Sequence, residues 1–400
     1  MKAMPDWSAV RDAMLLDPTQ AYLNTGSYGI TPKCVFDEVT VLRRRMQQNP
    51  TDFLWRTINE PLWRARSSLA DYLHVDPKQL ILTVNVSIGI NLAAWSLALA
   101  TPGEVVLTDH EYGAMRYAWE RATIRQGLTL RTIPLPFKAQ EPGQVVEAIV
   151  RELRPETRLL FLSHVYYTTG MVLPLKEICQ EARKRGVLTM IDGAHAPGML
   201  PLNLMDLGAD FYSANLHKWF LAPVGTGFLH VRPGLEDRLV PMHVSWGWHY
   251  DRTASHERDI FGGTPWLRSH EFEGSRDPCP WLVLPTVVQF HEQLGLAQVR
   301  QRHRWLSDRV RQQLDGLAGL RLASPQHDEL RGGLTSFCFP KGWSGPDAQA
   351  FRQRLWERHR FEINCVENPD GPFLRVSTHF YNTEAEIDRL ASVLPDTLRG

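Results

Sequence analysis

Short apolar runs alternate with helical patterns through the middle of the chain. Buried strands are indicated by the runs at 81–86, 104–110, 128–135, 159–165, 187–191 and 211–216. Most segments between these runs follow helical spacing, and such alternation predicts an α/β fold with a mainly parallel sheet covered by helices. No G-x-G-x-x-G follows the first strand, which disfavours a dinucleotide-binding fold.

The pattern differs towards the two ends of the chain. Helical patterns precede the central block at 1–16, 32–48 and 52–73. Residues 232–284 are rich in loops and aromatic residues, and an α+β pattern of short strands and helices follows them. We therefore predict three parts: an N-terminal helix at 1–16 that packs with the small domain, a large α/β domain at 17–284, and a small α+β domain at 285–400.

Composition narrows the class of protein. Lys and Arg number 44 and so do Asp and Glu, which gives no electrostatic footprint for nucleic acid or an anionic membrane. The five cysteines lack C-x-x-C spacing, which argues against a disulfide framework or a zinc site and for a reducing compartment. The N-terminus lacks the apolar core of a signal peptide, and the most apolar helix, at 90–100, is too short to span a bilayer. We therefore expect a cytoplasmic protein without a metal.

Polar residues follow two of the predicted strands. Asp192 ends the strand at 187–191, and Lys218 follows the run at 211–216. Ligands of open α/β sheets bind at the carboxyl ends of strands, so both side chains are expected to face one ligand. A buried aspartate near a lysine suggests pyridoxal phosphate, with Lys218 as the Schiff-base amine and Asp192 beside the pyridine nitrogen. The alternative is an ion pair between strand ends.

Further residues supply the other parts of such a site. Ser87 opens a helix after a strand, where an anion is favoured, although an ordinary N-cap serine fits as well. His217 suits a phosphate oxygen or a structural role, and Tyr112 suits stacking on a pyridine ring or plain core packing. His195 can donate to a phenolic oxygen or sit satisfied in its loop. Arg375, inside an apolar strand, indicates a carboxylate ligand or an internal salt bridge.

Several motifs resemble the class V aminotransferase group of fold-type I pyridoxal phosphate enzymes. They include L-N-T-G-S-Y-G, D-H-E-Y, S-H-V-Y-Y-T-T-G, D-G-A-H-A-P-G, H-K-W-F-L-A-P-V-G-T-G-F-L-H and E-G-S-R-D-P-C-P-W-L. The resemblance spans nearly the whole chain. It implies a mainly parallel seven-stranded sheet in the large domain and pyridoxal 5′-phosphate as the cofactor.

The resemblance also implies roles for individual residues. The cofactor-binding set is Val86, Ser87, Tyr112, Asp192, His195, Asn215, His217 and Lys218, with Lys218, Asp192 and Tyr112 taking part in catalysis. Gly274 and Ser275 match residues that reach the phosphate from a partner subunit, which implies a homodimer with shared active sites. The substrate-binding set is Asn24, Ser27, His164 and Arg375.

Within that group the chain looks most like an epimerase. This likeness implies a small-molecule substrate with an L-α-aminoadipyl end on a penicillin nucleus, acted on at its Cα, with the loops at 245–281 around its distal part. A C–S lyase and an aminotransferase are the alternatives, and a non-catalytic cofactor-binding homologue is a remote one. Cys365 falls inside a strand rather than on a loop, which argues against the persulfide chemistry of cysteine desulfurases.

Overall fold

The computed structural model describes residues 3–249 and 262–399. Its strands are β1 Ala21–Tyr22, β2 Leu80–Thr83, β3 Glu104–Thr108, β4 Thr129–Ile133, β5 Thr157–Ser163, β6 Leu188–Asp192, β7 Phe211–Asn215, β8 Gly227–Val231, β9 Arg321–Leu322, β10 Leu334–Cys338, β11 Phe361–Glu362, β12 Asn364–Val366 and β13 Phe373–Ser377. Its helices are α1 Trp7–Asp12, α2 Lys33–Gln48, α3 Pro50–Asp52, α4 Asn59–Leu73, α5 Val86–Ser96, α6 Gly113–Gln126, α7 Pro142–Val150, α8 Leu175–Lys184, α9 Leu204–Leu207, α10 Trp246–His249, α11 Pro265–Glu271, α12 Cys279–Leu282, α13 Leu284–Leu294, α14 Leu296–Leu314, α15 Gly345–His359 and α16 Glu384–Arg399.

Seven strands form the large sheet in the order β2-β8-β7-β6-β5-β3-β4. β8 runs antiparallel to both of its neighbours, and the other strand pairs are parallel. The predicted mainly parallel seven-stranded sheet is therefore confirmed. The alternation of strand and helix did not indicate β8, because this strand returns directly beside β7 without a helix between them.

The continuous apolar run of β5 follows from burial of both sheet faces. Leu160 and Leu162 pack into the core on one face, and Leu159 and Phe161 pack into the core on the other. A strand covered by helices on both sides needs apolar residues at every position, which explains why this run does not alternate with polar residues. The same burial leaves polar residues to the strand ends, where the site lies.

The C-terminal sheet has the order β12-β13-β10-β9 and is antiparallel throughout. The N-terminal segment attaches to this part of the molecule, because β1 pairs in parallel with β11 and Asn24 bridges to Ser377. Trp7 in α1 stacks on Phe380, with ring centroids 6.0 Å apart. The division at residues 16 and 284 stays a prediction, and β1 shows that residues just beyond 16 also contact the C-terminal part.

Some element limits differ from the sequence predictions. The helix predicted at 52–73 is interrupted by a π-helical turn at Phe53–Thr57. Residues 250–261 of the loop-rich segment lie outside the described residues. In the described residues, no helix has both the length and the apolar character needed to cross a membrane.

Candidate active site

A cavity of about 470 Å³ opens at the carboxyl ends of the parallel strands. Its walls come from the segments that follow β2, β3, β5, β6 and β7, from the loop after β1, and from β12 and β13. The lining includes Ser27, Val86, Ser87, Tyr112, Asp192, His195, Asn215, His217, Lys218 and Arg375. The fold therefore brings together ten of the residues that the sequence analysis selected.

Asp192 and Lys218 face the cavity from adjacent strands without forming an ion pair. No Asp192–Lys218 contact within 4.0 Å occurs in the described chain, and the Lys218 Nζ atom lies 3.3 Å from His195 Nε2 instead. Burial, followed by the positive charge of Arg375, lowers the pKa of Lys218 to about 8, although Asp192 opposes the shift. Burial raises the pKa of Asp192 to about 6. Within the described residues the carboxylate therefore lacks a cationic partner at contact distance, and a protonated pyridine nitrogen would supply one.

His195 is buried between Lys218 and an indole. Its Nδ1 atom accepts a hydrogen bond of 3.1 Å from the Trp219 Nε1–H group. Burial lowers the pKa of His195 well below its usual value, and the nearby Lys218 and Arg375 add to the effect. His195 is therefore a neutral imidazole whose other nitrogen lines the cavity.

The start of α5 forms the anion-binding end of the cavity. Asn85 caps the helix by accepting from the Ile88 N–H group, and Asn215 Oδ1 accepts from the Val86 N–H group at 2.9 Å. These two bonds leave the backbone N–H of Ser87 without a protein partner among the described residues. The Val86 N–H is already occupied, so Asn215 and Val86 fix the helix start, and Ser87 is the residue whose N–H is available to a phosphate.

His217 lies beside this helix start. Burial lowers the pKa of its imidazole to about 4, with Lys218 adding to the shift. Its Nδ1 atom is buried and has no hydrogen-bond partner in the part of the chain that is described. Tyr28, which the sequence analysis did not select, stacks on the His217 ring at 5.7 Å between centroids. The pair closes the wall between the N-terminal loop and β7.

Arg375 is a buried guanidinium surrounded by neutral oxygen atoms. Its Nη2 atom donates to Ser27 Oγ at 2.9 Å and to Asn24 Oδ1 at 3.2 Å, and its Nη1 atom donates to the Tyr167 carbonyl at 3.3 Å. No carboxylate forms an ion pair with it among the described residues, so the alternative of an internal salt bridge is wrong. Burial lowers its pKa to about 10. The carboxylate of a ligand would provide the negative charge that pairs with this guanidinium.

Two of the predicted substrate contacts, Asn24 and His164, do not line the cavity. Asn24 accepts a hydrogen bond from Arg375 through Oδ1, and its Nδ2 group donates to Glu362 at 3.0 Å. His164 faces a different cavity and contacts the Tyr212 hydroxyl at 2.8 Å. Ser163 and Val165 face the cavity of Lys218 on either side of it, so the alternation of side chains along the chain turns His164 away.

Ser275 is exposed and lies outside the cavity, and Gly274 has a φ of +137° with open space around it. A single chain therefore does not bring this loop to Lys218. This position is compatible with a contribution to another subunit, which remains a prediction.

Tyr112 and Tyr167 form the aromatic wall of the cavity. Tyr112 begins α6 and is half exposed, and its ring meets that of Tyr167 edge to face at 5.5 Å. Tyr167 was not among the residues predicted for the site, although it lies two residues beyond Val165 on the same side of the chain. The sheet order places β3, which leads to Tyr112, and β7, which leads to Lys218, on opposite sides of β6 and Asp192.

Glu111 is a second buried carboxyl group next to the cavity, and it too was given no role from the sequence. Its side chain accepts from Ser163 Oγ at 2.6 Å, from the Tyr166 hydroxyl at 3.0 Å and from Thr108 Oγ1 at 3.0 Å. Burial raises its pKa to about 7, and the hydrogen bond from Ser163 opposes the shift. Since Ser163 lines the cavity, Glu111 fixes the direction of a hydroxyl proton there.

Cys365 is buried in the core of the C-terminal sheet, on the opposite side of β12 from Asn364 and Val366, which line the cavity. Burial raises the pKa of its thiol to about 12. A thiolate nucleophile is therefore not available from this residue.

Comparison with known proteins identifies the family. Residues 22–390 match the model of the class V aminotransferases, and the chain belongs to this family. It is similar to isopenicillin N epimerase of Streptomyces clavuligerus, with 47% identity over 100% of both chains. Isopenicillin N epimerase of Amycolatopsis lactamdurans is 46% identical over 98% of each chain. The solved cystine C–S lyase C-DES, in complex with its product cysteine persulfide, superposes with a TM-score of 0.82 at 26% identity, over 95% of this chain and 98% of that one.

The chain is thus a fold-type I pyridoxal phosphate enzyme. The residues of the cavity fit this cofactor. Among the residues that the structure describes, Asp192 is a buried carboxylate without a contacting cation, Ser87 has an available N–H, and His217 has a buried nitrogen without a partner. Each of these groups complements one polar part of pyridoxal phosphate.

Proposed function

We propose that this enzyme epimerises the Cα of the L-α-aminoadipyl side chain of isopenicillin N, in the cytoplasm and as a step of antibiotic biosynthesis. One observation of the site carries the proposal. Lys218 and Tyr112 line one cavity from strands on opposite sides of Asp192, so two proton-transferring groups enter it from different directions. The full-length similarity to two isopenicillin N epimerases supports the choice of substrate.

The cavity offers a place for each part of the cofactor. Asp192 would hold the pyridine nitrogen, His195 the phenolic oxygen, Lys218 the aldehyde carbon, and Ser87 with His217 the phosphate. When bound, pyridoxal phosphate acts as an electron sink that makes the Cα–H of an amino acid acidic.

Three residues of the chain bind substrate and move its proton. Arg375 binds the α-carboxylate through its guanidinium, which Ser27 and the Tyr167 carbonyl hold in place. Burial lowers the pKa of Lys218 to about 8, which favours the free amine more than in an ordinary lysine, and this Nζ takes the Cα proton. Tyr112 then returns a proton from its hydroxyl on the other side, which inverts the configuration.

Solvent isotope exchange tests the reaction. Isopenicillin N incubated with the holoenzyme in heavy water is expected to gain deuterium at Cα and to become a mixture of epimers, without release of keto acid or thiol. Tyr112→Phe is expected to retain exchange from the L-epimer and to lose inversion, because Lys218 still removes and returns the proton on its own side. Lys218→Ala is the control that abolishes both.

Other products would identify a different enzyme. The similarity to a C–S lyase of known structure makes β-elimination from cystine the second candidate, and pyruvate release would favour it over epimerisation. Keto acid formed with consumption of the amino group would indicate transamination. Equal loss of exchange and inversion in Tyr112→Phe would contradict the two-sided proton transfer.

We also propose a homodimer whose two active sites each take Ser275 from the other subunit. Lys218→Ala and Ser275→Asp are each expected to be inactive as homodimers, the second because a carboxylate repels the phosphate. Mixing and reassembling the two is expected to restore activity, since each hybrid has one site with both native residues. A mixture that stays inactive, although hybrids form, would contradict shared sites.

A further inference from the structure

Trp219 directly follows Lys218, yet its side chain does not line the cavity. The indole is fully buried, and its Nε1–H group donates to His195 Nδ1 at 3.1 Å. On the other side of the imidazole, His195 Nε2 lies 3.3 Å from Lys218 Nζ. Trp219, His195 and Lys218 therefore form one chain of contacts that ends in the cavity.

The chemistry of the indole decides where the proton of His195 lies. An indole nitrogen only donates, so Nδ1 of His195 must be the bare, accepting nitrogen. A neutral imidazole with a bare Nδ1 has its proton on Nε2. An imidazolium would place two N–H groups against each other at 3.1 Å, so the bond to Trp219 also opposes protonation of His195.

We infer that Trp219 is a positioning residue that holds His195 as the neutral tautomer with its proton on Nε2. This tautomer directs a hydrogen-bond donor towards Lys218 and the adjacent part of the cavity. A donor beside Lys218 Nζ favours the free amine over the ammonium. The tautomer follows from the protein contacts alone. Only the expectation that the same N–H donates to the cofactor's phenolic oxygen rests on the proposed function.

The C-terminal part of the chain fixes the orientation of the indole. A Cβ atom on Gly333 would approach the Trp219 ring to 2.8 Å, so this glycine permits close packing. His379 stacks on the indole at 5.7 Å between ring centroids, and His303 meets it edge to face at 5.6 Å. His379 Nε2 also contacts the Trp219 carbonyl at 3.1 Å. The indole is therefore enclosed on several sides, and its N–H keeps its direction towards His195.

Titratable groups around His195 also oppose its protonation. Lys218, Arg375 and His217 each lower the pKa of His195, after the larger effect of burial. Asp192, three residues earlier in the chain, accepts from the Ala194 N–H group at 2.8 Å. The tautomer itself is set by the hydrogen bond from Trp219, because the indole N–H can only donate and therefore requires a bare Nδ1.

Nitrogen NMR of the holoenzyme labelled with ¹⁵N-histidine tests the inference directly. The signals of His195 are assigned by their absence in His195→Gln. In the native enzyme we expect a protonated Nε2 and a bare Nδ1 from pH 6 to pH 9. In Trp219→Phe, which keeps a ring but removes the donor, we expect His195 to titrate or to populate the Nδ1–H tautomer.

Trp119→Phe is the matched control. Trp119 is also fully buried, but its Nε1 atom has no hydrogen-bond partner within the described residues, and it packs in another core. Its replacement is expected to leave the signals of His195 unchanged. Cofactor binding gives a second measurement: Trp219→Phe is expected to weaken pyridoxal phosphate binding about tenfold, the effect of one hydrogen bond to a charged oxygen.

A double-mutant comparison separates this role from general packing. In the His195→Gln background, Trp219→Phe is expected to change cofactor affinity little, because the residue through which it acts is gone. A bare Nε2 in the native enzyme would overturn the inference. That measurement uses the native enzyme alone, so it does not depend on whether a variant folds. Equal effects of Trp219→Phe in both backgrounds would also overturn it. Neither outcome depends on which reaction the enzyme catalyses, so failure of the proposed epimerisation is recognised separately.

Discussion

Two regions of this molecule treat their buried charges differently. Beneath β2, Arg66 and Glu271 form a two-pronged ion pair with both distances 2.7 Å, and their side chains are 0% and 1% exposed. In the cavity, Asp192 and Arg375 are buried almost as deeply, and neither has an oppositely charged group in contact within the described chain. Burying a charge without a partner of opposite sign costs free energy. The charges of Asp192 and Arg375 are therefore compensated only when a ligand binds in the cavity.

The difference separates charges that serve the fold from charges that serve binding. Arg66 and Glu271 saturate each other, and Glu271 also accepts from the Leu82 N–H group. Arg375 contacts neutral oxygen atoms that orient it and leave its charge uncompensated. Replacing a residue in each region is therefore expected to give opposite results for stability and for function.

The largest expected effect is that of Arg375→Met. Loss of the partner of a substrate carboxylate is expected to lower kcat/KM for Cα exchange about 1000-fold, mostly through KM. The free energy of unfolding of the cofactor-free protein is expected to stay the same or to rise, because an uncompensated buried charge is removed. Chemical denaturation and deuterium exchange measure the two effects. A variant that is strongly destabilised would show that Arg375 serves the fold.

Arg66→Met is the counterpart from the other region. It leaves the carboxylate of Glu271 buried without a cation, which is expected to lower the free energy of unfolding by about 3–4 kcal/mol. Substrate KM is expected to be unchanged in the fraction of protein that is folded. Urea titration followed by tryptophan fluorescence gives the first quantity, and initial rates at low temperature give the second. A stable variant with a raised KM would contradict the comparison.

Asp192→Asn tests the cavity through pH. The folded-state pKa of Asp192 is about 6, above its usual 3.8, so the folded protein holds this proton longer than the unfolded chain does. The contribution to stability is therefore greatest at low pH and is lost as pH rises through the interval from about 4 to 6. Without cofactor, Asp192→Asn is expected to be more stable at pH 7 by up to about 3 kcal/mol.

The matched control is Glu111→Gln, because Glu111 also has a raised pKa but is surrounded by hydrogen-bond donors. Its replacement leaves the hydroxyls of Ser163 and Tyr166 with a weaker acceptor, so little stabilisation is expected. With pyridoxal phosphate bound, Asp192→Asn is no longer expected to have a higher free energy of unfolding than the native protein. Equal pH profiles of native protein and Asp192→Asn, measured without cofactor, would contradict an uncompensated carboxylate.

The sequence was sufficient for much of the fold and for the centre of the site. Buried parallel strands give continuous apolar runs, so polar residues such as Asp192 and Lys218 mark their ends. These ends share one edge of the sheet, which brings the two residues into one cavity. The alternation of side chains after β5 also turns His164 away from the cavity and Tyr167 towards it, and this alternation is local to the sequence.

Other features depend on contacts between distant parts of the chain. The antiparallel direction of β8 follows from its pairing with β2 and β7, which no local pattern records. The acceptor role of Glu111 requires donors from Thr108, Ser163 and Tyr166, and only the folded sheet brings them together. The bond from Trp219 to His195 likewise joins residues that follow different strands.

The smallest expected effect comes from replacing both members of the structural pair. Arg66→Met combined with Glu271→Leu removes both charges and is expected to recover most of the stability lost in Arg66→Met, since apolar residues of similar volume often replace a buried ion pair at little cost. A deficit of about 1 kcal/mol is expected to remain, because the Leu82 N–H group loses its acceptor. Urea titration of the single and double variants measures the recovery. If the double variant is no more stable than Arg66→Met, the unpaired carboxylate is not the cause of the loss, and the contrast with Arg375 has to be explained by packing instead of charge.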